Sequence, residues 1–167
     1  MEYTREVFLW QQTYSSLFSI SNKLQIIGDR ELGSLTSRQL MTLIAVIHLP
    51  AGGASLIKIA KKMGTTKQNV RQLVSAMERK GLVSIASSLA DKRAYSVEMT
   101  EYGKSVFITC YQRGMVFFEK IFHDFSVDEL EVFWSMIKKL YRFDGEEHDG
   151  FEEPGNFAYD ATNQTVE

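Results

Sequence analysis

Apolar residues between positions 65 and 81 recur with the period of a helix. Val70, Leu73, Val74 and Met77 fall at i, i+3, i+4 and i+7 and share one face. At 100° per residue Gln68, Gln72, Ser75 and Arg79 point the opposite way, with Asn69 and Arg71 on the flanks. Thr66 suits the N-cap, and Gly81 suits a left-handed stop. Ahead of this stretch Leu56, Ile59, Ala60 and Met63 make the inner face of a shorter helix capped by Ser55. Its outer face carries Lys58, Lys61 and Lys62, and Gly64 separates the two helices. A helix, a short Gly-containing turn and a second helix make a helix-turn-helix arrangement.

The same reading assigns the rest of the chain. Residues 3–28 predict a long first helix in which Val7, Trp10, Tyr14, Leu17, Ser21 and Leu24 step by threes and fours. Phe8, Phe18, Ile20 and Ile27 widen its apolar surface beyond what one buried stripe needs, so it packs on a partner subunit or deep in its own domain. Gly28 and Gly33 bracket a break. Thr36-x-x-Gln39 is a capping box, and it opens a second helix with Leu40, Leu43, Ile44 and Ile47 inward. Leu49-Pro50-Ala51-Gly52-Gly53 reads as a connector; no Gly-Lys-Ser/Thr follows, which argues against a phosphate cradle.

After Gly81 the period shortens. Leu82-Val83-Ser84-Ile85-Ala86 and Arg93-Ala94-Tyr95-Ser96-Val97-Glu98-Met99 predict two strands of a hairpin, with Lys92 and Arg93 near its tip. Thr100 opens a fifth helix running to about Asp124, with Phe107, Cys110, Phe117 and Ile121 on one side. Ser126-x-x-Glu129 is a second capping box, followed by Leu130, Phe133, Trp134, Ile137, Leu140 and Tyr141 at helical spacing. From Asp144 the periodicity stops, and residues 144–167 read as an acidic flexible tail. Phe151, Phe157 and Tyr159 are the residues through which it can dock, and competition with DNA for a basic face is the alternative to plain solvation.

Charge changes this picture more than composition does. The net charge is −2 over 167 residues. Residues 56–104 nevertheless carry ten Lys or Arg against four acids, a local +6, while residues 144–167 carry eight acids and no Lys or Arg. A basic block around a polar helix face is the footprint of a phosphate-binding surface, whereas a charge run alone is usually a solvated face. Gln, Asn and Arg are also the side chains that make bidentate bonds to base edges. The opening MEYTREVFLWQQ has acids and no apolar core, so no secretory signal is expected, and a single cysteine excludes an intrachain disulfide framework. A cytoplasmic setting follows as the default.

Other chemistry finds little footing. Cys110 lies on a helix face with Phe107 and Phe117, where an inert buried thiol competes with a redox sensor. His48, His123 and His148 show no ligand spacing, so no metal and no cofactor is called for. There is no nucleophile–base arrangement and no dinucleotide fingerprint, which argues against an enzyme. Trp10, Tyr14, Phe18 and Phe117 suit either an effector pocket or a dimer core.

The order of elements and several local strings resemble the MarR family of winged-helix transcription regulators. The strings are Leu35-Thr36-Ser37-Arg38-Gln39, then Ile59-Ala60-Lys61-Lys62-Met63-Gly64 with Thr66-Lys67-Gln68-Asn69-Val70, then Met77-Glu78-Arg79-Lys80-Gly81-Leu82-Val83. Asp91-Lys92-Arg93-Ala94 with Val97-Glu98-Met99-Thr100-Glu101-Tyr102-Gly103 completes them. The resemblance implies an obligate homodimer held by terminal helices, a palindromic operator and, in many members, a small aromatic or lipophilic effector. It implies that Arg93 enters the minor groove and that Asp91 orients it. The chain departs from the family at Ile85, where many members carry arginine, and at the wing tip Ser87-Ser88-Leu89-Ala90, which lacks the frequent Pro or Asn.

The combined expectation is a mostly α (α+β) winged helix-turn-helix with a two-stranded β wing. Residues 1–34 and 101–143 form a helical dimerisation region, and residues 35–100 bind DNA. Thr65, Thr66, Lys67, Gln68, Asn69, Arg71 and Gln72 face the major groove. Ser37, Arg38, Lys58, Lys61 and Lys62 face phosphates, and Ser87, Ser88, Asp91, Lys92 and Arg93 form the wing contacts. The partners are double-stranded DNA, a second copy and a possible small effector, with no membrane. The rival readings are a winged-helix interaction or accessory module without DNA binding, and a Cys110-based redox regulator.

Overall fold

The computed structural model describes residues 3–87, 95–145 and 150–152. Among these residues, six helices and one hairpin follow in the order α1 (Arg5–Leu32), α2 (Ser37–Ile47), α3 (Leu56–Lys62), α4 (Lys67–Arg79), β1 (Val83–Ser87), β2 (Tyr95–Met99), α5 (Glu101–Phe122) and α6 (Val127–Tyr141). Each helix starts on a Ser or Thr whose side chain accepts a backbone N–H from the first turn: Thr4, Thr36, Ser55, Thr66, Thr100 and Ser126. Such a cap stabilises a helix by about 1 kcal/mol. The two capping boxes, Thr36 with Gln39 and Ser126 with Glu129, both close.

The hydrophobic core lies under the winged helix. Leu35, Leu43, Ile59, Val70, Val74, Met77, Val83 and Val97 are its largest fully enclosed apolar side chains. Leu32 at the end of α1 and Phe107 and Cys110 on α5 extend it toward the terminal helices. The strands pair antiparallel with Ile85 opposite Val97. Behind them the Val97 N–H donates to the Ala54 carbonyl at 3.0 Å, so the connector before α3 lies along the outer edge of β2. Thr100 ties the wing to α5, donating through its hydroxyl to the carbonyls of Gly81 and Leu82.

Two boundaries differ from the sequence reading. The first helix does not break at Gly28 but runs on to Leu32, and the turn comes at Gly33 with φ 76°. Gly28 is a packing residue: a Cβ there would meet the Ser37 hydroxyl across the α1–α2 contact. The first strand begins later than expected, at Val83, because Leu82 still closes the turn after α4 with its N–H on the Met77 carbonyl. Arg93 and Ala94, expected in the second strand, lie outside the described residues.

The terminal helices are built differently from the centre. Along α1 only Gly28 and Leu32 are buried, and α6 has no buried residue. Trp10, Tyr14 and Phe18 are 61%, 66% and 60% exposed, and Phe133 and Met136 of α6 are exposed as well. Among the described residues no helix is long and apolar enough to cross a membrane.

Candidate nucleic-acid interface

Helix α4 divides sharply into two faces. Val70, Val74 and Met77 are sealed in the core, and burying such side chains contributes roughly 1.5–3 kcal/mol each. Lys67, Gln68, Asn69, Arg71, Gln72, Ser75 and Arg79 are exposed. The first turn is fixed twice over. Thr66 Oγ1 accepts the Asn69 N–H at 3.2 Å, and Asn69 Nδ2 donates to Thr65 Oγ1 at 3.1 Å. Thr65 and Asn69 are therefore partly engaged with each other, while the amide of Gln68 and the guanidinium of Arg71 project from the exposed face.

The turn into α4 is tight. Gly64 adopts φ 60°, its N–H bonds the Lys61 carbonyl, and the Thr65 N–H bonds the Ala60 carbonyl. Glycine takes that backbone conformation without steric cost. The result sets the lysine-bearing α3 directly against α4. Lys58 and Lys61 are exposed, and Lys62 is half-buried with its Nζ 5.5 Å from the centre of the Phe151 ring. Positive charge on the helix preceding a polar-faced second helix is where phosphates flank a major groove.

The remaining expected contacts divide. Ser37 faces α1: its N–H donates to Asp29 and its hydroxyl to the Gln25 carbonyl at 3.2 Å. Arg38 is exposed, with Nε on Gln25 Oε1 at 3.0 Å. Ser87 ends β1, and Ser88, Asp91, Lys92 and Arg93 lie outside the described residues, as do His148, Phe157 and Tyr159. Trp10, Tyr14 and Phe18 line the open face of α1 and do not converge with Phe117, which lies half-buried beside Gly28. Cys110 is enclosed, its thiol donating to the Leu32 carbonyl at 3.5 Å. Among the described residues no cluster of His, Cys, Asp or Glu could hold a metal.

Sequence reasoning did not place residues 150–152. Phe151 packs on the winged-helix core and stands edge-on to His48, with ring centroids 5.5 Å apart. Glu152 accepts from Trp134 Nε1 at 2.8 Å and from Lys138 Nζ at 2.9 Å. Gly150, at φ 62°, lies against the Trp134 and Tyr141 rings. Burial there pushes the Tyr141 hydroxyl above its ordinary pKa. The aromatic residues of the tail are plain in the sequence, but where Phe151 packs depends on where α6 ends in space.

Comparison with known proteins places this geometry. The profile of the MarR family matches residues 34–94, from just ahead of α2 up to β2. The transcriptional activatory protein BadR of Rhodopseudomonas palustris is 27% identical over 126 residues, covering 73% of this chain and 72% of BadR. The transcriptional repressor YetL of Bacillus subtilis is 24% identical over 132 residues, covering 78% and 79% of the two chains. The fold matches that of a mutant of Escherichia coli MarR complexed with operator DNA, with a TM-score of 0.69 at 17% identity, over 84% of this chain and 99% of that one. Residues 34–94 thus carry the MarR-family pattern, and the chain as a whole is similar in sequence to transcriptional regulators and in fold to a winged-helix regulator.

Proposed function

We propose that the protein acts as a homodimer that sets one α4 helix into each half of a palindromic operator and represses transcription there. The observation that carries this reading is the division of α4, with Val70, Val74 and Met77 fully enclosed and Gln68, Arg71 and Gln72 presented outward beside the lysines of α3. Gln68 and Arg71 read base edges, and Thr65, Thr66, Lys67, Asn69 and Gln72 complete the groove contact. Arg38, Lys58, Lys61 and Lys62 meet phosphates; Ser37, its hydroxyl spent on Gln25, serves the α1–α2 joint. The wing residues Asp91, Lys92 and Arg93 reach the neighbouring minor groove.

Dimerisation is supported by the uncovered apolar faces of α1 and α6, which are too extensive for a monomer's surface. A second copy brings two recognition helices about 34–36 Å apart, one turn of DNA. Release by a small aromatic or lipophilic effector would act at the joint between the terminal helices and the winged helix.

The test is selection of duplexes from random sequence by the purified protein, with its mass measured free and bound. A two-fold symmetric consensus bound by one dimer is expected. Retention of no duplex at low salt would instead favour a protein-interaction module.

A further inference from the structure

The tail segment 150–152 touches two parts of the molecule that otherwise barely meet. On one side, Glu152 bonds Trp134 and Lys138, and Gly150 lies against Trp134 and Tyr141, all on α6. On the other, Phe151 packs on the winged-helix core between His48, at the end of α2, and Lys62, at the end of α3. Helix α6 buries no side chain of its own in the chain's core, so these three residues fasten it to the winged helix within one protomer. Gly150 is required in this position. Its backbone is left-handed, and a Cβ would run into the Trp134 ring.

The fastening uses one of the lysines of the DNA-facing helix. The Lys62 ammonium sits over the Phe151 ring, where the ring quadrupole holds it. The next residue in the chain, Glu152, keeps its carboxylate on Trp134 and Lys138 and so anchors the ring to α6.

We propose that residues 150–152 are an intramolecular brake on DNA binding, set by Phe151 on Lys62 and latched to α6 by Glu152. DNA and the clip compete for the same ammonium. Operator binding draws Lys62 off the ring and loosens the hold on α6; anything that tightens α6 against the tail weakens DNA binding. The proposal rests on the DNA-binding reading above.

The test uses the full chain and a duplex selected by it, with affinity measured over a salt series for the wild type, Phe151→Ala, Lys62→Ala and the double variant. Phe151→Ala is expected to bind about two- to fivefold more tightly. Its log–log salt slope should steepen by about 0.9, one further phosphate neutralised. In the Lys62→Ala background the Phe151 change should have no effect. Trp134→Phe keeps an aromatic side chain on α6 but removes the indole N–H that holds Glu152 and the outer ring beside Gly150, and should raise affinity in the same direction. It also serves if Phe151→Ala lowers the unfolding temperature. Unchanged or weaker binding by both variants, or an equal gain without Lys62, would overturn the brake while leaving DNA binding intact. A wild type that binds no duplex overturns the DNA-binding reading itself, and the brake with it.

Discussion

Gly103, in the first turn of α5, rests directly on the backbone of Leu82 at the start of the wing, so closely that a Cβ would collide with the Leu82 carbonyl oxygen. The Thr100 hydroxyl bonds the same carbonyl from the side. Neither backbone can yield without disturbing the β1–α5 joint. Gly103→Ala should therefore cost about 3 kcal/mol in denaturant unfolding. The dependence on denaturant should stay unchanged if only the native joint is strained.

Two other glycines should respond with opposite signs. Gly64 has open space around it but a φ of 60°, so Gly64→Ala meets no neighbour and still costs about 1 kcal/mol through backbone strain. Gly114 is helical, and a Cβ there would sit at ordinary contact distance, 3.7 Å, from Leu32. Gly114→Ala should stabilise by roughly 0.5–1 kcal/mol, since glycine weakens a helix interior by that amount. Equal effects from the two substitutions would contradict the conformational argument.

Base and phosphate contacts separate experimentally. Arg71→Ala should lose roughly 1–3 kcal/mol on the selected operator and relax preference at one base pair. Lys58→Ala should weaken all duplexes alike and reduce the salt slope by about 0.9. An Arg71→Ala protein that keeps its operator preference would show that α4 does not read the major groove.

The exposed aromatics of α1 provide the test of assembly. Tyr14→Glu places a charge among Trp10, Tyr14 and Phe18, where Tyr14 and Phe18 lie 5.0 Å apart centre to centre. Sedimentation should shift to the monomer mass, and operator affinity should fall at least about tenfold as the second half-site contact is lost.

Glu129 supplies a pH signature. The Ser126 backbone N–H, followed by its hydroxyl, holds the Glu129 carboxyl below its ordinary value of 4.5. A lowered folded-state pKa means that its contribution is complete above the unfolded value and is lost as pH falls through the folded one. In urea titrations the stability difference between the wild type and Glu129→Gln should therefore be constant well above the ordinary value of 4.5 and shrink as pH falls below it. A difference that grows with acidification would contradict the assigned capping geometry.

What can be read from the residues follows the range of the interaction. Both capping boxes, the Ser55 and Thr66 caps and the Gly64 turn depend on neighbours within four positions, and each is readable from spacing. Gly28 misleads because glycine's weak helix propensity is a local signal, while its use here, admitting Ser37, is set by another helix. Ser37 itself reads as a phosphate contact, yet its hydroxyl turns toward Gln25. The polar face of α4 is legible as a whole, but the Thr65–Asn69 bond within it is not. Phe151 is recognisable as an anchor without a harbour, since nothing in its own stretch points to His48 or Lys62.

The hydrogen bond from Val97 to Ala54 has a consequence for how the protein survives at high concentration. A two-stranded ribbon has two open sides, and each is a template on which another chain can add a strand. Along β2 the donors alternate between β1 and the outside, and the central outward one, at Val97, is already taken by Ala54. A stray strand meeting that side finds its middle rung missing. The connector before α3 thus guards against edge-on aggregation, and a shorter connector that could not reach β2 would leave the hairpin prone to assemble into ribbons.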